Sequence, residues 1–238
     1  MRIFGLIGRN LAHSFSEKYF KDKFLKEGIT DNKYNTYEVK KITDFRQLIK
    51  QKEISGLNVT IPYKESIIPF LDKLSKEAKI IGAVNTIRFH NNKLIGYNTD
   101  YIGFTNSIKP LLGGRNKAII LGNGGAAKAV RYALESMGIE YKVAKRNTGF
   151  IYSDITNKII NKYPIIINTT PEGSYPQATK FPEIPYKYLN RNNLLYDLIY
   201  NPEETKFLSY GREKESQTKN GQEMLEIQAE ESWKIWHL

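Results

Sequence analysis

The chain holds 238 residues, with 36 Lys and Arg against 25 Asp and Glu, a formal net charge of +11 and no cysteine. That length suits one large domain or two small ones. The missing cysteines exclude disulfides, thiolate zinc sites and a cysteine nucleophile, and no apolar run reaches the length of a membrane span. The N-terminus lacks a signal-peptide pattern, and the lysines are spread along the chain without a nucleic-acid-binding signature. The expectation is a cytoplasmic protein whose basic charge suits nucleic acid, an acidic surface or small anions; charge alone does not choose among them, and no motif points to nucleic acid or membrane as a partner.

Residues 2–8 predict a buried strand closed by Gly8. Residues 17–27 predict a helix with Phe20, Phe24 and Leu25 on one face and Gly28 as its stop. Tyr34 to Val39 alternates like a strand, Phe45 to Ile49 looks helical, and Ile54 to Ile61 is a strand ended by Pro62. Lys64 to Leu71 and Ser75 to Ile81 predict short helices. Ala83 to Phe89 and Lys93 to Tyr97 flank His90-Asn91-Asn92, a hairpin signal. Residues 101–112 read as a helix, Lys117 to Leu121 as a buried strand, Ala126 to Met137 as a helix closed by Gly138, and Ile139 to Ala144 as the next strand. The short apolar runs Ile165 to Ile167 and Leu194 to Ile199 continue the rhythm of an open parallel α/β sheet. Gly211 to Asn220 is charged and reads as a loop or domain junction. Gln222 to Trp236 closes the chain as a helix.

Between a strand and a helix stand Gly122, Asn123, Gly124, Gly125, Ala126 and Ala127, a G-x-G-x-x-A pattern. Gly122 permits the tight turn, Gly124 lets backbone approach a pyrophosphate, and Ala127 lets helix pack closely on strand. The helix N-terminus then faces the negative charge. An NAD site usually carries an acid at the end of the next strand. Here that end reads Ala144, Lys145, Arg146, Asn147. Arg146 suits a 2′-phosphate and Lys145 adds charge, so the expected cofactor is NADP.

Four polar clusters occupy the first hundred residues. Ser14-Phe15-Ser16-Glu17 fits a carboxylate-binding loop and equally a helix capping box. Thr60 and Lys64 follow a buried strand, with Pro62 between them. Asn85 lies in Gly82-Ala83-Val84-Asn85-Thr86, and Asp100 in Gly96-Tyr97-Asn98-Thr99-Asp100-Tyr101-Ile102-Gly103. Each taken singly also reads as turn chemistry. His13, His90 and His237 share no metal-ligand spacing, so no metal is expected.

Taken together, the clusters resemble the shikimate dehydrogenase family over nearly the whole chain. Ser14-Phe15-Ser16 resembles its paired serines, Asn58 to Lys64 its N-V-T-x-P-x-K segment, Gly82 to Thr86 its G-A-V-N-T, and Gly96 to Gly103 its G-x-N-T-D-x-x-G. Asn220 to Ala229 resembles [DN]-G-x-x-M-L-x-x-Q-A, and Asp197 to Tyr200 resembles D-M/L-I/V-Y. The resemblance implies reversible reduction of 3-dehydroshikimate to shikimate with NADPH, in chorismate and aromatic amino acid biosynthesis. It implies Lys64 and Asp100 as a catalytic dyad, and Ser14 and Ser16 on the substrate carboxylate. Thr60, Asn85 and Gln228 would meet ring hydroxyls and Tyr200 the substrate, while Leu198 and Gly221 would line the cofactor beside Lys145, Arg146 and Asn147.

The fold so implied is α/β. A discontinuous substrate domain (1–100 and 221–238) pairs with a Rossmann-like NADP domain (101–220), the active site lying in the cleft between them, in a monomer or homodimer. The sequence departs from the family where Glu17 stands for a common proline and Lys145-Arg146-Asn147 for N-R-T. It is also short between Arg146 and Pro164 and after Gln228. The rival readings are a quinate/shikimate dehydrogenase with relaxed cofactor use and a non-catalytic nucleotide- or nucleic-acid-binding protein.

Overall fold

Two sheets of different character organise the chain. The computed structural model describes residues 1–11, 14–51, 53–145 and 148–238. The chain divides into one unit of Met1–Asp100 with Gln228–Leu238, and a second of Tyr101–Ile227.

The first unit runs β1 (Arg2–Gly8), α1 (Phe15–Lys26), β2 (Asn32–Glu38), α2 (Phe45–Gln51), β3 (Ile54–Val59), β4 (Lys73–Leu74), α3 (Lys76–Ile81), β5 (Thr86–His90) and β6 (Lys93–Tyr97). Its mixed sheet has the order β2-β1-β3-β5-β6-β4. The first three strands are parallel, and β5 pairs antiparallel with both β3 and β6. The β5–β6 hairpin turns on Asn91 and Asn92, with φ of 49° and 58°. A two-residue turn of this hand needs both central residues left-handed, and Asn tolerates that better than most side chains. One core cluster is aromatic: Phe4, Phe20, Phe24, Tyr34 and Trp236, with Trp236 stacked on Phe4 at 4.8 Å between centroids. A second cluster gathers Ile7, Phe45, Leu57, Val59, Ile67 and Ile87.

Lys64 to Leu71 is not the expected helix. It forms turns and a 3-10 segment, Ile68–Phe70. Pro69 has no N–H to give the carbonyl of Glu65, so the α-helical ladder cannot propagate. The segment closes instead through Phe70 N to Ile67 O and Leu71 N to Ile68 O.

The second unit follows α4 (Asp100–Ile108) with β7 (Lys117–Leu121), α5 (Gly125–Ser136), β8 (Glu140–Ala144), α6 (Asn157–Lys162), β9 (Ile165–Asn168), β10 (Leu194–Asp197), α7 (Lys206–Glu213), β11 (Gln217–Lys219) and the start of α8 (Gln222–Trp236). Its sheet is wholly parallel, in the order β11-β10-β9-β7-β8. Central β9 and β10 are buried throughout, which explains their unbroken apolar runs. The expected helix over 101–112 stops at Ile108, where Pro110 tightens the chain into a 3-10 turn. Gly211 to Asn220 is not a loop: it holds the end of α7 and all of β11. Phe207, Leu208 and Gly211 bury one face of α7, and its charges lie opposite. β11 is an edge strand and carries polar residues for that reason.

The second crossing between units falls at Gln228 rather than at Gly221. Gly221 N donates to Ile199 O, and Met224 packs in the core of the second unit, so the first turns of α8 stay with that sheet. Among the described residues no helix is long and apolar enough to cross a membrane, and no three His, Asp or Glu side chains gather as a metal cluster.

Candidate active site

In the first unit, strand ends deliver polar side chains to one place. Lys64 Nζ donates to Asp100 Oδ2 at 2.6 Å, with the two side chains 17% and 7% exposed. Asp100 is the first residue of α4, where the positive helix end favours a carboxylate. Its other oxygen, Oδ1, accepts from Asn85 Nδ2 at 2.9 Å. Asn85 Nδ2 also reaches Thr99 Oγ1 at 2.9 Å and Gln228 Oε1 at 3.2 Å. Asn85 Oδ1 accepts from the Thr99 backbone N–H at 2.7 Å and from Thr86 Oγ1 at 3.1 Å. Asn85 is therefore fully committed to protein partners, and it organises the pair that Lys64 and Asp100 form.

Ser14 is the N-cap residue of α1, but its side chain makes no capping bond. Its Oγ is buried and has no partner among the described residues, while Glu17 pairs with Lys21 at 2.6 Å. The capping-box alternative is therefore not formed. A buried hydroxyl without a partner is costly, so Ser14 stands ready for an acceptor. The Ser16 hydroxyl bonds to the phenol of Tyr34, which burial pushes above its ordinary pKa range. Thr60 lies just beyond β3, half-buried, its N–H donating to Ile7 O at 3.0 Å.

The second unit offers a different site. Gly122 follows β7 at φ +103°, and a Cβ there would meet Thr169 Oγ1 at 2.8 Å. The turn thus presses on the end of β9, and the connections from the neighbours β7 and β9 leave for opposite sides, to β8 and to β10. That is the switch point where open α/β sheets bind ligands. Gly124 caps α5 without any side chain and faces open space, so the backbone at the helix start is uncovered. Asn123 is exposed, Gly125 and Ala126 are half-buried at the helix start, and Ala127 is buried against the sheet. These residues fit a dinucleotide pyrophosphate. Lys145 is exposed and bridges Ile151. Arg146 and Asn147, expected at the 2′-phosphate, lie outside the described residues.

Leu198 and Gly221 are brought together: a Cβ on Gly221 would lie 2.2 Å from Leu198 O, so only glycine allows this approach. Tyr200 follows, half-buried. Beside them Asp197 is fully buried. It accepts from Thr205 Oγ1 at 2.6 Å, Asn168 Nδ2 at 3.0 Å and Ile199 N at 3.0 Å. Burial raises its pKa to about 7 against these three hydrogen bonds, which act to lower it. The motif reading gave no role to Asp197, Asn168, Thr86, Thr99 or Ser232. Asn168 and Asp197 carry a signal, each being the polar end of a buried apolar strand; Thr86, Thr99 and Ser232, with polar neighbours in sequence, carry none.

Such an architecture defines a two-unit α/β protein with a Rossmann-like dinucleotide unit and a separate unit carrying a Lys–Asp pair. Residues 6–87 match the family model described as the shikimate dehydrogenase substrate binding domain. A shikimate dehydrogenase (NADP(+)) of Clostridium beijerinckii is 41% identical over 99% of this chain and 92% of its own. The crystal structure of shikimate dehydrogenase 1 from Peptoclostridium difficile is 40% identical with a TM-score of 0.88, covering 100% of this chain and 92% of that one. The Thermus thermophilus enzyme, solved with NADP(H) and shikimate, gives 28% and 0.86, covering 99% and 93%. The chain belongs to the shikimate dehydrogenase family.

Proposed function

We propose that this chain is an NADP-dependent shikimate dehydrogenase, reversibly reducing the ketone of 3-dehydroshikimate to the hydroxyl of shikimate in the shikimate pathway. The observation that carries this reading is the Lys64–Asp100 pair at 2.6 Å, set in a polar shell of the unit that matches the family's substrate-binding domain. NADPH, when bound, supplies the hydride. As the carbonyl carbon gains that hydride, its oxygen becomes an alkoxide. The Lys64 ammonium stabilises the growing charge and gives the oxygen a proton. Asp100, accepting through one oxygen and held by Asn85 through the other, keeps Lys64 aimed at the reacting oxygen. In the oxidative direction a neutral Lys64 takes the hydroxyl proton.

Ser14 and Ser16 hold the substrate carboxylate, the unpartnered Ser14 hydroxyl being the freer donor. Thr60, Asn85 and Gln228 meet ring hydroxyls. For Asn85 this means exchanging one protein partner, and Gln228 at 3.2 Å is the longest and cheapest to give up. Tyr200 meets the substrate, and Leu198 and Gly221 border the cofactor. Residues 122–127 hold the pyrophosphate, and Lys145, Arg146 and Asn147 take the 2′-phosphate.

The test is nicotinamide absorbance with purified protein, shikimate and NADP, with quinate and NAD as parallel controls. Rapid, shikimate-selective reduction of NADP is expected. Turnover confined to quinate, or none with any pair in a folded protein that binds NADP, would replace the substrate in this proposal.

A further inference from the structure

Nine polar side chains of the first unit form one hydrogen-bonded chain, and Ser232 is its junction. Ser232 lies on α8 one turn beyond Gln228 and is wholly buried. Its Oγ accepts from Asn58 Nδ2 at 3.0 Å and donates to the Gln228 backbone carbonyl at 2.9 Å. It also lies 2.7 Å from Thr86 Oγ1 and 3.2 Å from Thr99 Oγ1. From Thr86 and Thr99 the chain continues through Asn85 to Asp100 and Lys64. From Asn58 it runs the other way: Asn58 Oδ1 accepts from the Tyr34 phenol at 2.8 Å, and Tyr34 bonds to Ser16.

We propose that Ser232 is a positioning residue that sets the Lys64–Asp100 pair, Gln228 and Ser16 at the start of α1 in one fixed relation. The inference rests on the function proposed above. Under that reading, the two ends of the chain hold the reacting oxygen and the carboxylate of the same substrate. Ser232 touches neither, since it has no exposed surface, and it acts through the groups it bonds. Stability alone does not call for it. α8 is already anchored by Ala229 and Trp236 in the aromatic core, and an apolar residue among buried neighbours is usually as stable as a polar one. A fully satisfied buried network instead fixes one geometry. Removing its junction takes the shortest contact from the Asn58 amide and from the Thr86 hydroxyl and leaves them the longer ones, to Asn85 O at 3.3 Å and to Asn85 Oδ1 at 3.1 Å.

The experiment compares the full-length parent with S232A, Y34F and the double variant, measuring initial rates against shikimate and against NADP, with melting temperatures alongside. Loss of one buried hydrogen-bond junction predicts that kcat/KM for shikimate falls roughly 5- to 30-fold in S232A, while KM for NADP holds. Y34F keeps the ring in the aromatic core and removes only the hydroxyl, so it probes the same chain should S232A fold poorly. If the chain acts as one unit, the double variant falls little further than the worse single. Shikimate kinetics of S232A matching the parent, both KM values rising together, or fully additive losses would each overturn the role. A parent that neither binds nor turns over shikimate overturns the proposed function itself, and Ser232's role with it. That failure shows in the parent, whereas failure of Ser232's role alone shows only in the variants.

Discussion

The glycine turn of the second unit and the polar cluster of the first are built from opposite materials. The turn is backbone: it works because Gly122 and Gly124 lack side chains, one where Thr169 crowds it and one where space is left open. The cluster is side chain: Lys64, Asn85, the adjacent Thr99 and Asp100, and Gln228 come from four separate segments and are held by hydrogen bonds between them. A backbone site is damaged by adding atoms. A side-chain site is damaged by removing them, and each removal strands the partners left behind.

That contrast can be broken at its chemical end first. Lys64→Ala should lower kcat by roughly 10²- to 10⁴-fold, the usual range for a positioned acid or base, with NADP binding unchanged in a direct titration. A parent-like kcat would remove Lys64 from the mechanism. Arg146→Asp comes next. Losing a charge-assisted hydrogen bond to the 2′-phosphate should raise KM for NADP roughly 10- to 100-fold and leave KM for NAD much nearer the parent. Equal effects on both cofactors would end its role in selectivity. Gly122→Ala should act by addition. A left-handed φ with a side chain and a contact inside van der Waals range costs about 1–3 kcal/mol, read as a KM for NADP raised about tenfold. KM for shikimate should stay put, and a change there instead would show that the two sites are not separable in this way.

The contrast also governs what the sequence discloses. The turn is six contiguous residues whose required property, the missing Cβ, is visible in the letters themselves. The hairpin at Asn91-Asn92 and the closing helix Gln222–Trp236 were legible for the same reason, since local chemistry decides them. Lys64 and Asp100 were legible only through resemblance to a family, because nothing local distinguishes them from solvated charges. Ser232 was missed: one serine on an amphipathic helix says nothing until the fold sets Asn58, Thr86 and Thr99 against it. The Lys64 to Leu71 helix was misread because Pro69 outweighed the apolar spacing around it. α7 and β11 were misread because exposed charges on a helix and an edge strand resemble a loop.

Asp197 is where the contrast is least clean, and it carries the prediction with the smallest effect on rate. It is a side chain that organises a backbone turn: one carboxylate ties the end of β9 through Asn168, the start of α7 through Thr205 and the Leu198–Ile199 turn through a backbone N–H. All three partners donate, and among the described residues no cation acts on it, while Tyr186 and Tyr196 are the titratable groups that sense its charge. Burial raises its pKa from 3.8 to about 7, so the folded protein holds this proton more tightly than the unfolded chain does. Its contribution to stability is therefore full below about pH 4 and is lost as pH rises through 7, a linkage on the order of a few kcal/mol. Asp197→Asn has no proton to lose and keeps nearly the same shape. Melting temperatures at pH 5, 7 and 9 should fall more steeply in the parent than in the variant, whose advantage grows toward pH 9. Parallel profiles would mean that Asp197 is ionised across this range, its three donors outweighing burial. Turnover of the variant should change far less than in Lys64→Ala, because Asp197 holds the Leu198–Ile199 turn and the proposed mechanism gives it no proton to move.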